Sequence, residues 1–134
     1  MENMNNVLEK KSYMSLDTEL KIFKALEDWE KSQYFLNSAC SIITAAREIG
    51  CNTKYLSYVV NKYMKVDFPN YVNQLRLAYL NNYLKTVPEA RNLKLSYLAS
   101  ICGFSSYGKF AKFVKEKTKY SPTQYIVFFD LIQS

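Results

Sequence analysis

The 134-residue sequence has no histidine and only three glycines, three prolines and three cysteines. Without histidine, the side chain that most often carries protons near neutral pH and ligates zinc is missing. Cys40, Cys51 and Cys102 are odd in number and lack metal-type spacing. They therefore argue against both a zinc site and a disulfide framework, and suit a reducing compartment. Cys102 falls on an apolar helical face and is expected as a small core residue. No apolar run approaches the ~20 residues needed to cross a bilayer, and no signal-peptide pattern opens the chain. We expect a soluble, cytoplasmic chain without membrane contact. A glycine-rich phosphate loop and a nucleophile–base pairing are also missing, so the chain is not expected to be an enzyme or to hold a cofactor.

So few glycines and prolines cannot supply the turns of an all-β fold, while hydrophobic residues reach 49%. Long segments with a 3.6-residue apolar period predict an all-α protein of about seven helices. Residues 1–16 read as a flexible tail, and Ser15 or Asp17 can cap a first helix reaching about Leu36. Leu20, Ile22, Phe23, Leu26 and Trp29 form its expected apolar stripe, with Glu19, Lys24, Glu27, Asp28 and Lys31 largely opposite. Ser41 caps a short second helix that buries Ile42, Ala45, Ala46 and Ile49 and ends at Gly50 with positive φ. Asn52 or Thr53 caps a third helix to about Met64. A longer helix runs from near Asp67 to Lys85, and the polar stretch Glu89–Asn92 is the expected boundary between subdomains.

Leu95, Leu98, Ala99 and Cys102 then precede a Gly103-Phe104 turn. Ser105 or Ser106 caps a helix with Phe110, Phe113 and Val114 inward, and Ser121-Pro122 opens the last helix, which carries Tyr125, Ile126, Phe129 and Ile132. This segment repeats an earlier one. Ile42, Ala45, Ala46, Ile49, Gly50 and Cys51 match Leu95, Leu98, Ala99, Cys102, Gly103 and Phe104 at an offset of 53. Leu56, Val60, Lys65 and Tyr71 match Phe110, Val114, Lys119 and Tyr125 at 54. One inserted residue in the second turn accounts for the slip. The reading is two helix-turn-helix subdomains, 17–66 and 87–134, joined by a linker helix over 67–86.

Charge follows the repeat. The formal net charge is +6, but residues 1–40 carry −2, residues 41–65 carry +3 and residues 105–120 carry +4. Two basic islands suggest a surface for a polyanion. Helical spacing puts Lys54, Ser57 and Tyr58 of the first unit, and Tyr107, Lys109 and Lys112 of the second, on the early turns of their helices; together with the resemblance given below, it makes them the expected base contacts. Asn52, Thr53, Ser105 and Ser106 suit phosphates, helped by helix N-termini, and Lys115 is a further phosphate candidate. Arg76 is expected in a structural role, reaching a carboxylate.

The run Leu95-x-x-Leu98-Ala99-x-x-Cys102-Gly103-Phe104-Ser105, with Phe110 and Lys115-x-x-Thr118-x-x-Ser121-Pro122-x-x-Tyr125, resembles the AraC/XylS family of bacterial transcription regulators. Tyr55-Leu56-Ser57, Phe68-x-x-Tyr71 and Leu75-Arg76-Leu77 extend the resemblance over about residues 38–128. It implies homeodomain-like units and double-stranded DNA as partner. It further implies RNA polymerase as a candidate partner and an upstream sensory or membrane-anchored part outside this chain, as in larger tetratricopeptide-containing regulators. A site of roughly 20 bp read in two successive major grooves, roughly 34 Å apart, is the corresponding expectation. Lys65 and Lys119 depart from the family's helix-ending glycine, so strained or differently shaped corners are expected there. The alternative is a helical protein–protein interaction module using its twenty-one aromatic residues.

Overall fold

The computed structural model describes residues 14–133, the Gln133 side chain excepted. Among the described residues the fold is all-helical: α1 Leu16–Lys31, α2 Ile42–Ile49, α3 Thr53–Met64, α4 Phe68–Thr86, α5 Leu95–Ile101, α6 Tyr107–Thr118 and α7 Pro122–Gln133. Short 3-10 turns lie at Tyr34–Leu36 and Pro88–Asn92. Of the stretch expected as a tail, residues 1–13 lie outside the described residues. Met14 is buried, and Ser15 caps α1 by accepting the Thr18 amide at 3.1 Å.

The chain divides into two compact units. The first holds the described residues up to Gln33 together with Ser41–Phe68, the second Tyr34–Cys40 and the described residues from Pro69. In the first unit α1, α2 and α3 pack pairwise. Ile22, Leu26, Trp29, Ala45, Ala46, Leu56, Val59 and Val60 are buried. The stripe on α1 differs from expectation by one residue. Leu20 is 50% exposed, while Glu19 is buried because it lies one turn before Ile22 on the stripe that continues to Leu26 and Trp29. The helix also ends sooner than about Leu36. The Ser32 hydroxyl donates to the Trp29 carbonyl at 2.5 Å, and Gln33 turns left-handed with φ 61°.

The second unit is built on Leu80, Leu84, Ala90, Leu98, Ala99, Cys102, Phe104, Phe110, Phe113, Val114 and Ile126. Residues 88–92, expected at a boundary, lie inside this unit, with Ala90 in its core. Of the apolar residues on α7, Ile126 is buried and Ile132 exposed. Arg76 is buried but meets no carboxylate among the described residues. Its Nε donates to the Phe35 carbonyl at 2.8 Å, one terminal nitrogen to the Asn37 carbonyl at 3.1 Å, and the other to Asn73 Oδ1 at 3.1 Å. Its guanidinium also lies 5.5 Å from the centre of the Phe104 ring.

The two turn glycines have different reasons to be glycine. Both are left-handed, Gly50 at φ 90° and Gly103 at φ 99°. A Cβ on Gly103 would stand 2.7 Å from the Phe35 carbonyl and 2.8 Å from Arg76 Nε and the Leu36 carbonyl, whereas one on Gly50 would meet nothing within 4 Å. Gly50→Ala is therefore expected to cost about 1–2 kcal/mol, the left-handed penalty alone. Gly103→Ala adds overpacking and should cost about 2–5 kcal/mol. Urea denaturation of both variants checks the order.

Burial pushes the Cys102 thiol up to about 12, against the pull of Arg76. The thiol stays protonated and unreactive when folded. Alkylation at pH 8 should modify Cys102 only after unfolding. Because its folded pKa is raised, its contribution to stability is complete below the ordinary thiol value of ~8.5 and is lost as the pH climbs toward 12.

Candidate nucleic-acid interface

Each unit contains the same short assembly. A first helix is stopped by a left-handed glycine, and a second of 12 residues starts from a polar cap. The turns share a bond that reaches back five residues: Cys51 N donates to the Ala46 carbonyl at 3.0 Å, and Phe104 N to the Ala99 carbonyl at 3.1 Å. Asn52 caps α3 through Oδ1 on the Tyr55 amide at 2.7 Å. Ser106 caps α6 through its hydroxyl on the Lys109 amide at 3.1 Å. Thr53 and Ser105, the alternatives, are exposed neighbours. Leu56, Val59 and Val60 hold the inner side of α3, as Phe110, Phe113 and Val114 hold that of α6.

Burial of those three positions decides which side chains face out. With 3.6 residues per turn, the stripe opposite the core runs through Gly108, Lys112, Lys115 and Lys119 on α6. On α3 it runs through Lys54, Tyr58, Asn61 and Lys65. All four α6 residues are exposed. Lys112 and Lys115 thus sit centrally, while Tyr107 and Lys109 flank the stripe on either side. Tyr107 is 41% exposed, with its ring centre 6.0 Å from that of Phe110, which it partly covers. On α3, Lys54 is exposed and Tyr58 half-buried. Ser57 is half-buried beside the stripe, and its carbonyl accepts Asn61 Nδ2 at 2.8 Å.

Electrostatics separate the two helices further. Among the described residues, Lys109, Lys112, Lys115, Lys117 and Lys119 form no ion pair; Lys117 Nζ lies over the Phe113 ring at 5.8 Å. On α3, Lys62 is taken up by Glu19 at 2.5 Å, so one cation of the first basic island is already neutralised. The stripe also contains residues that the sequence nominations missed: Asn61, Lys65 and Lys119. Their signal was the spacing i+7 and i+11 from Lys54 and Gly108. Lys65 and Lys119 adopt φ 64° and 69°, so these corners keep the left-handed shape that glycine would take.

The chain is similar to known proteins over most of its length. Residues 45–126 match the family described as "Helix-turn-helix domain". The "Uncharacterized HTH-type transcriptional regulator YijO" of Escherichia coli (strain K12) is 28% identical over 104 residues, covering 78% of this chain and 35% of its own length. The chain thus corresponds to well under two thirds of that curated relative. The C-terminal domain of AraT, a response regulator from Geobacillus stearothermophilus, superposes with a TM-score of 0.67 at 18% identity, covering 81% of this chain and 84% of the other. That of the response regulator yesN from Fusobacterium nucleatum gives 0.65 at 20%, covering 77% and 95%. A transcriptional regulator with an AraC-type DNA-binding domain from Chromobacterium violaceum gives 0.64 at 18%, covering 84% and 95%. At these identities the likeness to the solved structures concerns the fold.

The caps yield a direct check of which hydroxyl serves the helix. Ser106→Ala should cost about 1 kcal/mol by loss of the N-cap bond. Ser105→Ala should stay within about 0.5 kcal/mol. Thermal melts of the two variants distinguish them.

Proposed function

The chain belongs to the AraC-type helix-turn-helix family, and on that premise we propose that it binds double-stranded DNA sequence-specifically and regulates transcription. The observation that carries the reading is the exposed stripe Gly108-Lys112-Lys115-Lys119, whose three lysines form no ion pair among the described residues and whose helix is fixed from behind by Phe110, Phe113 and Val114. DNA presents dense phosphate charge, and unpaired lysines on a rigid helix release counterions without first breaking internal bonds.

In this reading α3 and α6 each enter a major groove, in two successive grooves of a site of roughly 20 bp. Lys54, Ser57 and Tyr58 read bases from the first unit, and Tyr107, Lys109 and Lys112 from the second. Lysine donates to guanine O6 or N7, while tyrosine hydrogen-bonds or packs on a thymine methyl. Asn52, Thr53, Ser105 and Ser106 hold phosphates near the helix N-termini, and Lys115, in the last turn of α6, holds one further along the helix. Asn52 and Ser106 already use their side-chain oxygens as caps, which suits them to that place more than to base contact. Gly108 has no side chain where α3 carries Lys54, so the two half-sites differ in preference. RNA polymerase and an upstream sensory part are the further partners of such a regulator, which would act in the cytoplasm. The chain itself is not an enzyme in this reading.

Selection of bound duplexes from a random pool is expected to enrich a motif. Lys112→Ala should then weaken binding to that motif by about 1–2 kcal/mol and relax preference at one position. An equal loss on every sequence would assign Lys112 to phosphate. No enrichment, with binding insensitive to salt, would overturn the reading and favour a protein-interaction module.

A further inference from the structure

Glu19 stands out as a carboxylate that the DNA-binding reading does not use. It lies on α1, ahead of the first helix-turn-helix, and is 2% exposed. Its Oε1 accepts Lys62 Nζ at 2.5 Å and the Tyr63 hydroxyl at 2.6 Å. Both donors belong to α3 and lie 43 and 44 residues away in the chain. The other lysine pairs of α1 differ in kind: Lys21–Asp17 and Lys24–Asp28 are exposed neighbours within one helix, and such pairs contribute little. Lys62 Nζ also lies 5.4 Å from the centre of the Tyr63 ring and 5.8 Å from that of Tyr58, and the Phe23 and Tyr63 rings are 4.9 Å apart.

We propose that Glu19 is a positioning residue that anchors α3 and withholds Lys62 from phosphate, so the first unit meets DNA with less positive charge than its sequence carries. The proposal rests on the DNA-binding reading. A buried carboxylate deprived of its cation is strongly unfavourable, so Lys62 cannot leave for a phosphate without exposing that cost. Its ammonium is held more firmly protonated by the hydrogen bond to Glu19. The second unit supplies independent support. The residue corresponding to Lys62 at the offset of 54 is Glu116, an exposed acid. Neither unit presents a usable positive charge at this helix position, one because it is neutralised and the other because it is acidic. Lys54 and Lys65 remain as the exposed lysines of α3 and its cap.

The test is the dependence of DNA affinity on salt, measured with the full chain on one duplex. Lys115→Ala checks the underlying reading and should flatten the log–log slope by about 0.9. Lys62→Met should leave the slope at the wild-type value. So should Glu19→Met/Lys62→Met, which removes the pair together and leaves no uncompensated buried charge. Glu19→Gln should steepen the slope by about 0.9, by freeing the ammonium, and should lower the ratio of specific to non-specific affinity. Flattening by about 0.9 in either Lys62 variant, with Lys115→Ala behaving as expected, overturns the withholding of Lys62 while leaving the DNA reading intact. An unchanged slope in a folded Glu19→Gln protein overturns it as well. A flat wild-type slope sinks the DNA reading and this proposal with it.

Discussion

Arg76 is the interaction on which the second unit's arrangement turns. Its guanidinium binds the carbonyls of Phe35 and Asn37 and lies against Phe104. Burial lowers its pKa, yet a guanidinium remains charged and can satisfy several acceptors at once from one plane. The segment 34–40 is thereby tied to α4, and Gly103 must pass so close to it that no side chain fits. The turn that aims α6 is thus fixed by backbone crowding around one charged group, beyond the apolar packing of Phe104, Phe110 and Phe113.

This knot also marks the limit of what the linear sequence revealed. The all-helical class, the caps at Ser41 and the Asn52 and Ser106 positions, the left-handed Gly50 and the turn at Gly103 were legible because they are local: each depends on residues within a turn or two. The repeat was legible because burial constrains the same positions in both units, Leu56 with Phe110 and Val60 with Val114. Arg76 was expected to act structurally, but its partners are main-chain carbonyls some forty residues away, and a carbonyl leaves no mark in a pattern of side chains. The same holds for Glu19. Charge on a helix reads as a solvated face, and only the arrival of Lys62 and Tyr63 from α3 explains why this acid is inside while Leu20 is out. Of the candidate site, the residue types and their helix were legible. The division between central stripe and flank, and the subtraction of Lys62, required the packed structure.

The outward sides of α3 and α6 therefore have unlike characters on like frames. The outward side of α6 is a row of lysines beyond a gap at Gly108. That of α3 mixes Lys54, Tyr58, Asn61 and Lys65, with an internal hydrogen bond from Asn61 to the Ser57 carbonyl. Such a surface depends more on fit than on field. The duplicated scaffold thus carries a lysine row on one copy and a mixed, partly hydrogen-bonded stripe on the other.

The lysines that end α3 and α6 carry a further meaning. Lys65 and Lys119 hold left-handed backbone angles that a residue with a Cβ adopts at a cost of roughly 1–2 kcal/mol, and glycine would relieve that strain. Each cation lies at a helix C-terminus, where the macrodipole partly offsets the strain, and each extends its outward stripe by one more turn. Both helices thus finish on a locally frustrated residue: a less stable corner that keeps a charge in line with the outward stripe.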